Sequence, residues 1–270
     1  MNIWKRTLTA FVLLPLVFLL IQFSSPLFFF VVIQVVVLLA LNEFYNLSIK
    51  KRIYPKKGLG FLFSLIIGLT FLFKEFSLGL ALMIGLLMFA VGYLLSTKSL
   101  EELMAFPTEI SLSFFGALYL SFTLNHINLI RQEYGPFYLY FLFAIIFTGD
   151  TLAFLVGKKW GKHQIASLAS PNKTWEGSAA GFVSGMIIAV IAAWVLFGTD
   201  FVIGKVLLMA IFIQVMIQLS DPLESMFKRA AGVKDSSHLL PGHGGFLDRT
   251  DSMVLAFPVF FYLMQFLGIS

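Results

Sequence analysis

The sequence predicts an all-α, polytopic integral membrane protein of about nine transmembrane helices, with a polar active site on the cytoplasmic side. Three observations predict it. Only 12% of the 270 residues are charged and 59% are hydrophobic, whereas soluble domains carry roughly 25% charged residues. Apolar stretches of about 20 residues, the length that crosses a bilayer as a helix, recur along nearly the whole chain. The basic residues fall almost entirely in alternate connections between those stretches.

The first apolar segment, 7–23, follows a basic start at Lys5 and Arg6. A signal peptide begins the same way, but this run ends in Gln22-Phe23-Ser24-Ser25-Pro26 without a small-x-small cleavage site, so it reads as an uncleaved span. Further segments follow at 27–47, 58–73, 76–96, 109–130, 136–157, 178–198, 201–219 and 253–268. Helices are expected because a spanning segment must satisfy its own backbone hydrogen bonds, and the period-2 alternation of an outer-membrane barrel is absent. Residues 1–145 form an N-terminal set of five to six spans. Residues 146–270 form the catalytic membrane region, and both belong to one membrane unit.

Orientation comes from charge. If the N-terminus is cytoplasmic, 16 of the 19 Lys and Arg lie on that side, including Lys50, Lys51, Arg52, Lys158, Lys159 and Lys228. Lys74 and Arg131 lie opposite, and Lys205 snorkels from a helix end. With nine spans the C-terminus is outside, and the expected location is the bacterial inner membrane. The net charge of +5 is thereby a matter of topology, and nucleic acid is not an expected partner. There is no cysteine, which excludes disulfides, thiolate metal sites and thiol nucleophiles.

Two cytoplasmic segments, 158–177 and 220–252, are longer than a connection requires. In the second, Asp221, Glu224, Ser225 and Lys228 share one face if the segment opens as a helix. Pro241-Gly-His-Gly-Gly245 then breaks the helix and lets backbone approach a ligand. Asp248 and Asp251 follow. Carboxylates alternating with Lys and Arg around a glycine-rich turn suit a metal–polyphosphate complex, because magnesium takes one or two carboxylates plus phosphate oxygens. For Asp251 alone, capping of the last helix and ligation are equally good readings. In 158–177 the charges and tryptophans read as a positive-inside loop, though Thr174 is placed to cap the next helix and Lys173 to reach a phosphate. Asp150 lies about 10 Å inside the sixth span at 1.5 Å per residue, where an acid marks a polar cavity or site. Bonding to Thr148 or to another helix is the plainer reading. Glu43 is a weaker candidate of the same kind, and His126 reads as a satisfied buried histidine.

The stretch from Ser225 resembles the signature of phosphatidate cytidylyltransferases (CDP-diacylglycerol synthases). It matches at Ser225, Lys228, Arg229, Lys234, Asp235, Ser237, Pro241, His243, Gly244, Gly245, Asp248, Arg249 and Asp251. An upstream stretch is similar to the family's second region at Asp150, Ala153, Gly157, Gly161-Lys162-His163, Ser170-Pro171 and Lys173-Thr174-Trp175-Glu176-Gly177, while Leu152 and Phe154 depart from it. The resemblance implies transfer of CMP from CTP to phosphatidate, giving CDP-diacylglycerol and pyrophosphate. It implies Mg2+ served by Asp221 and Asp248, with a second or monovalent cation left open.

The catalytic set expected on this basis is Asp221, Asp248, Lys228 and Arg229. The substrate-binding set is Ser225, Lys234, His243, Gly244, Gly245, Arg249, Asp251, Lys173 and Asp150. Expected partners are CTP, phosphatidate, the bilayer and a second copy of the chain. The rival reading is an ion- or proton-coupled transporter using Asp150 and the cytoplasmic acids. It lacks the paired halves with broken helices that such proteins show.

Overall fold

The computed structural model describes residues 15–166, 168–199, 201–237, 239 and 244–269. Helical residues 15–23 (α1) are followed by α2 (Pro26–Ile49), α3 (Lys57–Leu69), α4 (Leu78–Ser96) and α5 (Leu100–Leu129), which runs on through a π-turn at Ile130–Tyr134. Then come α6 (Pro136–Trp160), strands β1 (Gln164–Ala166) and β2 (Ser170–Thr174), α7 (Trp175–Phe197), α8 (Ile203–Ala230), α9 (Leu247–Val254) and α10 (Ala256–Phe266).

Among the described residues six helices are long and apolar enough to cross a bilayer, so the expected nine spans are not all present as such. The third and ninth come out as α3, 13 residues, and α10, 11 residues. At 1.5 Å per residue these rise about 20 Å or less against a hydrocarbon core of roughly 30 Å. The first expected span lies partly outside the described residues. Leu94, Leu95, Met104 and Trp194 are more than 60% exposed. This is the lipid-facing surface of an integral membrane protein.

Local chemistry sets the helix boundaries. Ser25 and Ser77 cap α2 and α4 through their hydroxyls, and Pro26 occupies the first turn of α2. Gly135, with φ of 91°, ends the π-turn and Pro136 opens α6. Gly232, with φ of 75°, closes α8, and the N–H of Val233 returns to the Lys228 carbonyl.

The chain divides into two compact units. The first holds Met1–Asn128 and Asp235–Thr250. Its apolar helices are joined by polar contacts: Gln34 of α2 donates to Asn125 of α5, and the Ser121 hydroxyl donates to the Ser64 carbonyl of α3 at 2.7 Å. His126 sits buried with Nδ1 2.7 Å from the Phe122 carbonyl.

The second unit holds Leu129–Lys234 and Asp251–Ser270. Here α7 packs against α6 through small residues. A Cβ on Gly177 would meet the Ala153 carbonyl oxygen at 2.6 Å, and one on Gly181 the Gly149 carbonyl oxygen at 2.9 Å. The buried Gln214 side chain of α8 lies where Cβ atoms on Gly149 and Gly185 would fall and donates to the Ile145 carbonyl at 3.1 Å. Lys205 folds back to donate to the Leu267 carbonyl at 2.5 Å.

Candidate active site

In the second unit, α8 does not stop where its apolar run ends. It continues through Pro222 to Ala230, so residues three and four apart lie on one face. One carboxylate oxygen each of Asp221, Glu224 and Asp251 lie within 4.8 Å of one another. Asp251 is brought there by a bond between the Ser220 hydroxyl, which donates, and its own carbonyl. Two lysines enter the cluster: Lys228 Nζ lies 2.6 Å from Glu224 and Lys173 Nζ lies 2.7 Å from Asp221. The Ser225 hydroxyl faces Asp221 at 3.5 Å.

The electrostatics of this arrangement are unbalanced. Each like-charge pair at that spacing costs about 3.5 kcal/mol at an effective dielectric of about 20. Two lysines against three carboxylates leave a formal charge of −1 in a largely buried place. Burial pushes the Asp251 carboxyl well above the usual carboxylate range, and the Asp221 and Glu224 carboxylates push it the same way. Three converging hard oxygen donors with residual negative charge fit a divalent cation of the magnesium type.

The Lys173 side chain reaches Asp221 from a hairpin. β1 pairs antiparallel with β2, Gln164 opposite Thr174 and Ala166 opposite Ser170. Thr174 then caps α7, accepting from the Gly177 N–H at 3.2 Å. Glu176 ties the hairpin's start to the same helix, accepting from the N–H groups of Lys162 and His163 at 3.1 and 3.3 Å, with His163 Nδ1 at 2.6 Å. Arg229 holds the other end of the hairpin, donating from Nε to the Ala169 carbonyl at 3.2 Å and from Nη1 to the Val233 carbonyl at 3.3 Å. Asp150 accepts from the Ser252 hydroxyl at 2.6 Å, so its partner is Ser252 and not Thr148. Neither Asp251 nor Ser252 caps the last helix, whose N-cap is Leu255.

In the first unit a second pair of acids ties Ser236 and Ser237 to Gly245, Phe246 and Leu247. Glu43 of α2 is 1% exposed. It accepts from the hydroxyls of Ser236 and Ser237 at 2.8 and 2.6 Å and from the N–H groups of Phe246 and Leu247 at 3.1 and 2.9 Å. Asp248 accepts from the Ser236 N–H at 3.0 Å and the Gly245 N–H at 2.9 Å, and its Oδ2 lies 2.9 Å from the Ser236 hydroxyl, whose one proton it shares with Glu43. Gly244 has φ of 82°, which favours glycine.

Of the residues singled out from sequence, Asp221, Asp251, Lys173, Lys228 and Ser225 come together in the second unit. Arg229 and Asp150 take the contacts just described, and Lys234 is exposed. Asp248, Arg249, Gly244 and Gly245 belong to the first unit, where Arg249 is exposed and the Gly245 N–H is directed at Asp248. His243, with Pro241 and Gly242, lies outside the described residues. Glu224 was placed on the acidic face by its spacing but not in the metal set. The i, i+3 relation to Asp221 was the available signal. Ser236 carried none.

The chain is similar to the phosphatidate cytidylyltransferase of Bacillus subtilis, 35% identical over 181 residues, 66% of each chain. It is similar to that of Haemophilus influenzae, 39% identical over 137 residues, 49% of this chain and 47% of that protein. The Staphylococcus haemolyticus protein is 40% identical over 127 residues, 46% of this chain and 48% of its own. The chain thus spans about half to two thirds of the length of the curated relatives it matches. A family-wide pattern, that of the cytidylyltransferase family, matches residues 4–267. That match runs through both acidic clusters and nearly every helix between them, and the chain belongs to the cytidylyltransferase family.

Proposed function

We propose that the protein is a CTP:phosphatidate cytidylyltransferase, transferring CMP to phosphatidate with release of pyrophosphate. The observation that carries the reading is the meeting of Asp221, Glu224 and Asp251 beside Lys173 and Lys228 in a chain of this family. The relatives that share the name phosphatidate cytidylyltransferase support it. Nothing in the comparisons supports the transporter reading.

Asp221, Glu224 and Asp251 are the residues that would hold Mg2+. Asp248 remains a proposed metal residue on the strength of its place in the signature. Bound there, the cation would neutralise phosphate charge. The lipid's phosphate monoester is a sufficient nucleophile, since its second ionisation lies near neutrality, like the pKa of about 6 of phosphorylated side chains. Its oxygen attacks the α-phosphorus of CTP, the bond from that phosphorus to the bridging oxygen breaks, and the electron pair leaves with pyrophosphate. No general base is needed. The task of the protein is positioning and neutralisation. Lys173, Lys228, Arg229, Lys234 and Arg249 are the proposed cationic contributors, and Ser225 and Asp150 position substrate.

In this reading the site faces the cytoplasm, the N-terminus is cytoplasmic, the membrane is the bacterial inner membrane, and a homodimer is the proposed assembly. The test is to purify the full chain in detergent and supply α-labelled CTP, phosphatidate and magnesium. Label should enter lipid with equimolar pyrophosphate, only with all three present. Absence of lipid labelling by a folded preparation would reject the proposal. With a chiral α-thio-CTP, direct attack gives inversion at phosphorus, and net retention would instead require an enzyme nucleophile.

A further inference from the structure

The mechanism above leaves one buried charge without a task. Glu43 sits buried in the last two turns of α2, and removing a carboxylate from water costs several kcal/mol unless hydrogen bonds replace the lost solvation. Both of its oxygens are supplied: Oε1 by the Ser237 hydroxyl and the Phe246 N–H, Oε2 by the Ser236 hydroxyl and the Leu247 N–H. Phe246 and Leu247 open α9, an eight-residue helix whose first N–H groups have no partner of their own within it. Glu43 therefore caps α9 from another helix, 204 residues earlier in the chain. The approach is close: a Cβ on Gly245 would fall 2.2 Å from Glu43 Oε2 and 2.2 Å from the Ser236 hydroxyl, so only glycine admits the carboxylate there.

The same hydroxyl also faces Asp248 Oδ2 at 2.9 Å, and Asp248 is the second residue of α9. Fixing Ser236, Phe246 and Leu247 therefore fixes Asp248. We propose that Glu43 is a positioning residue for the reaction: it clamps Ser236, Ser237, Phe246 and Leu247 onto α2 and thereby sets the place of Asp248. The part concerning Asp248's task rests on the function proposed above, while the clamp itself does not.

The experiment uses the full chain in lipid nanodiscs and compares wild type with Glu43→Gln and the milder Ser237→Ala. Gln presents an N–H2 group where two donors now point, so repulsion replaces attraction on one side. Ser237→Ala only removes one donor. Amide hydrogen exchange of the peptide covering 244–250, measured without metal or substrate, should quicken by about tenfold or more in Glu43→Gln and by a smaller factor in Ser237→Ala, with α3 and α4 unchanged. The magnesium concentration for half-maximal turnover should rise by about tenfold in Glu43→Gln, with turnover recovering to within about threefold of wild type at saturating metal. A merely structural role would reduce the yield of folded protein and leave that concentration where it was. Unchanged exchange at 244–250 in both variants would overturn the clamp. Faster exchange with an unaltered magnesium requirement would overturn the link to Asp248. If wild type itself transferred no label, the proposed function would fail, and the exchange arm would still decide the clamp.

Discussion

The two acidic clusters use the same side chains in opposite ways. In the first unit Glu43 and Asp248 are surrounded by N–H and O–H donors, which satisfy the carboxylates and leave a fixed backbone behind. In the second unit Asp221, Glu224 and Asp251 face one another, and two lysines offset only part of their charge. A carboxylate ringed by dipoles builds structure, whereas carboxylates converging on a common point store a demand for a cation. The number of acids says little. The type of partner separates carboxylates held in place by donors from carboxylates that call for a cation.

The largest effect should come from charge removal at constant size. Asp221→Asn and Asp248→Asn should each abolish turnover, by about a thousandfold or more, while the protein remains folded and extractable. Label transfer at saturating magnesium checks it. Near-normal activity in either variant would remove that residue from the metal assignment, and in Asp248→Asn would make the first cluster purely architectural.

Asp150→Asn comes next. If Asp150 serves a polar cavity, turnover should fall by about tenfold or more with unchanged expression. If its bond to Ser252 is all that matters, the amide will accept the same hydrogen bond and activity will persist. Lys173→Met should lower turnover by about tenfold, because it deprives Asp221 of a partner 2.7 Å away and the phosphates of a cation.

A smaller effect concerns the helix packing that supports the second cluster. Gly177→Ala should cost about 1–3 kcal/mol, since the new methyl group would lie 2.6 Å from the Ala153 carbonyl oxygen. Thermal unfolding in detergent measures it. An unaltered midpoint would show that α6 and α7 separate without penalty.

Much of this was legible in the sequence, for physical reasons that also explain what was not. The continuation of α8 was readable because Asp221, Glu224, Ser225 and Lys228 repeat at helical spacing. Thr174 announced itself as a cap by preceding an apolar run. The β1–β2 hairpin was not readable: its strands are three and five residues long, polar and interrupted by Pro171, and they are held by pairing and by Glu176, not by an alternating pattern. The last expected span read as continuous over 253–268 but breaks at Leu255 between α9 and α10. Glu43 stood out as an acid in an apolar helix, yet its partners begin 193 residues later, and no local pattern encodes that distance.

The most direct test of the contrast between the clusters is equilibrium binding of a divalent cation, with Mn2+ as the probe, to the full chain in nanodiscs without nucleotide or lipid substrate. Wild type should bind it, Asp221→Asn and Asp251→Asn should lose about tenfold or more in affinity, and Glu43→Gln should keep the same stoichiometry. Binding by Asp221→Asn and Asp251→Asn as tight as in wild type would contradict the account, because the converging carboxylates of the second unit would then not be the cation centre.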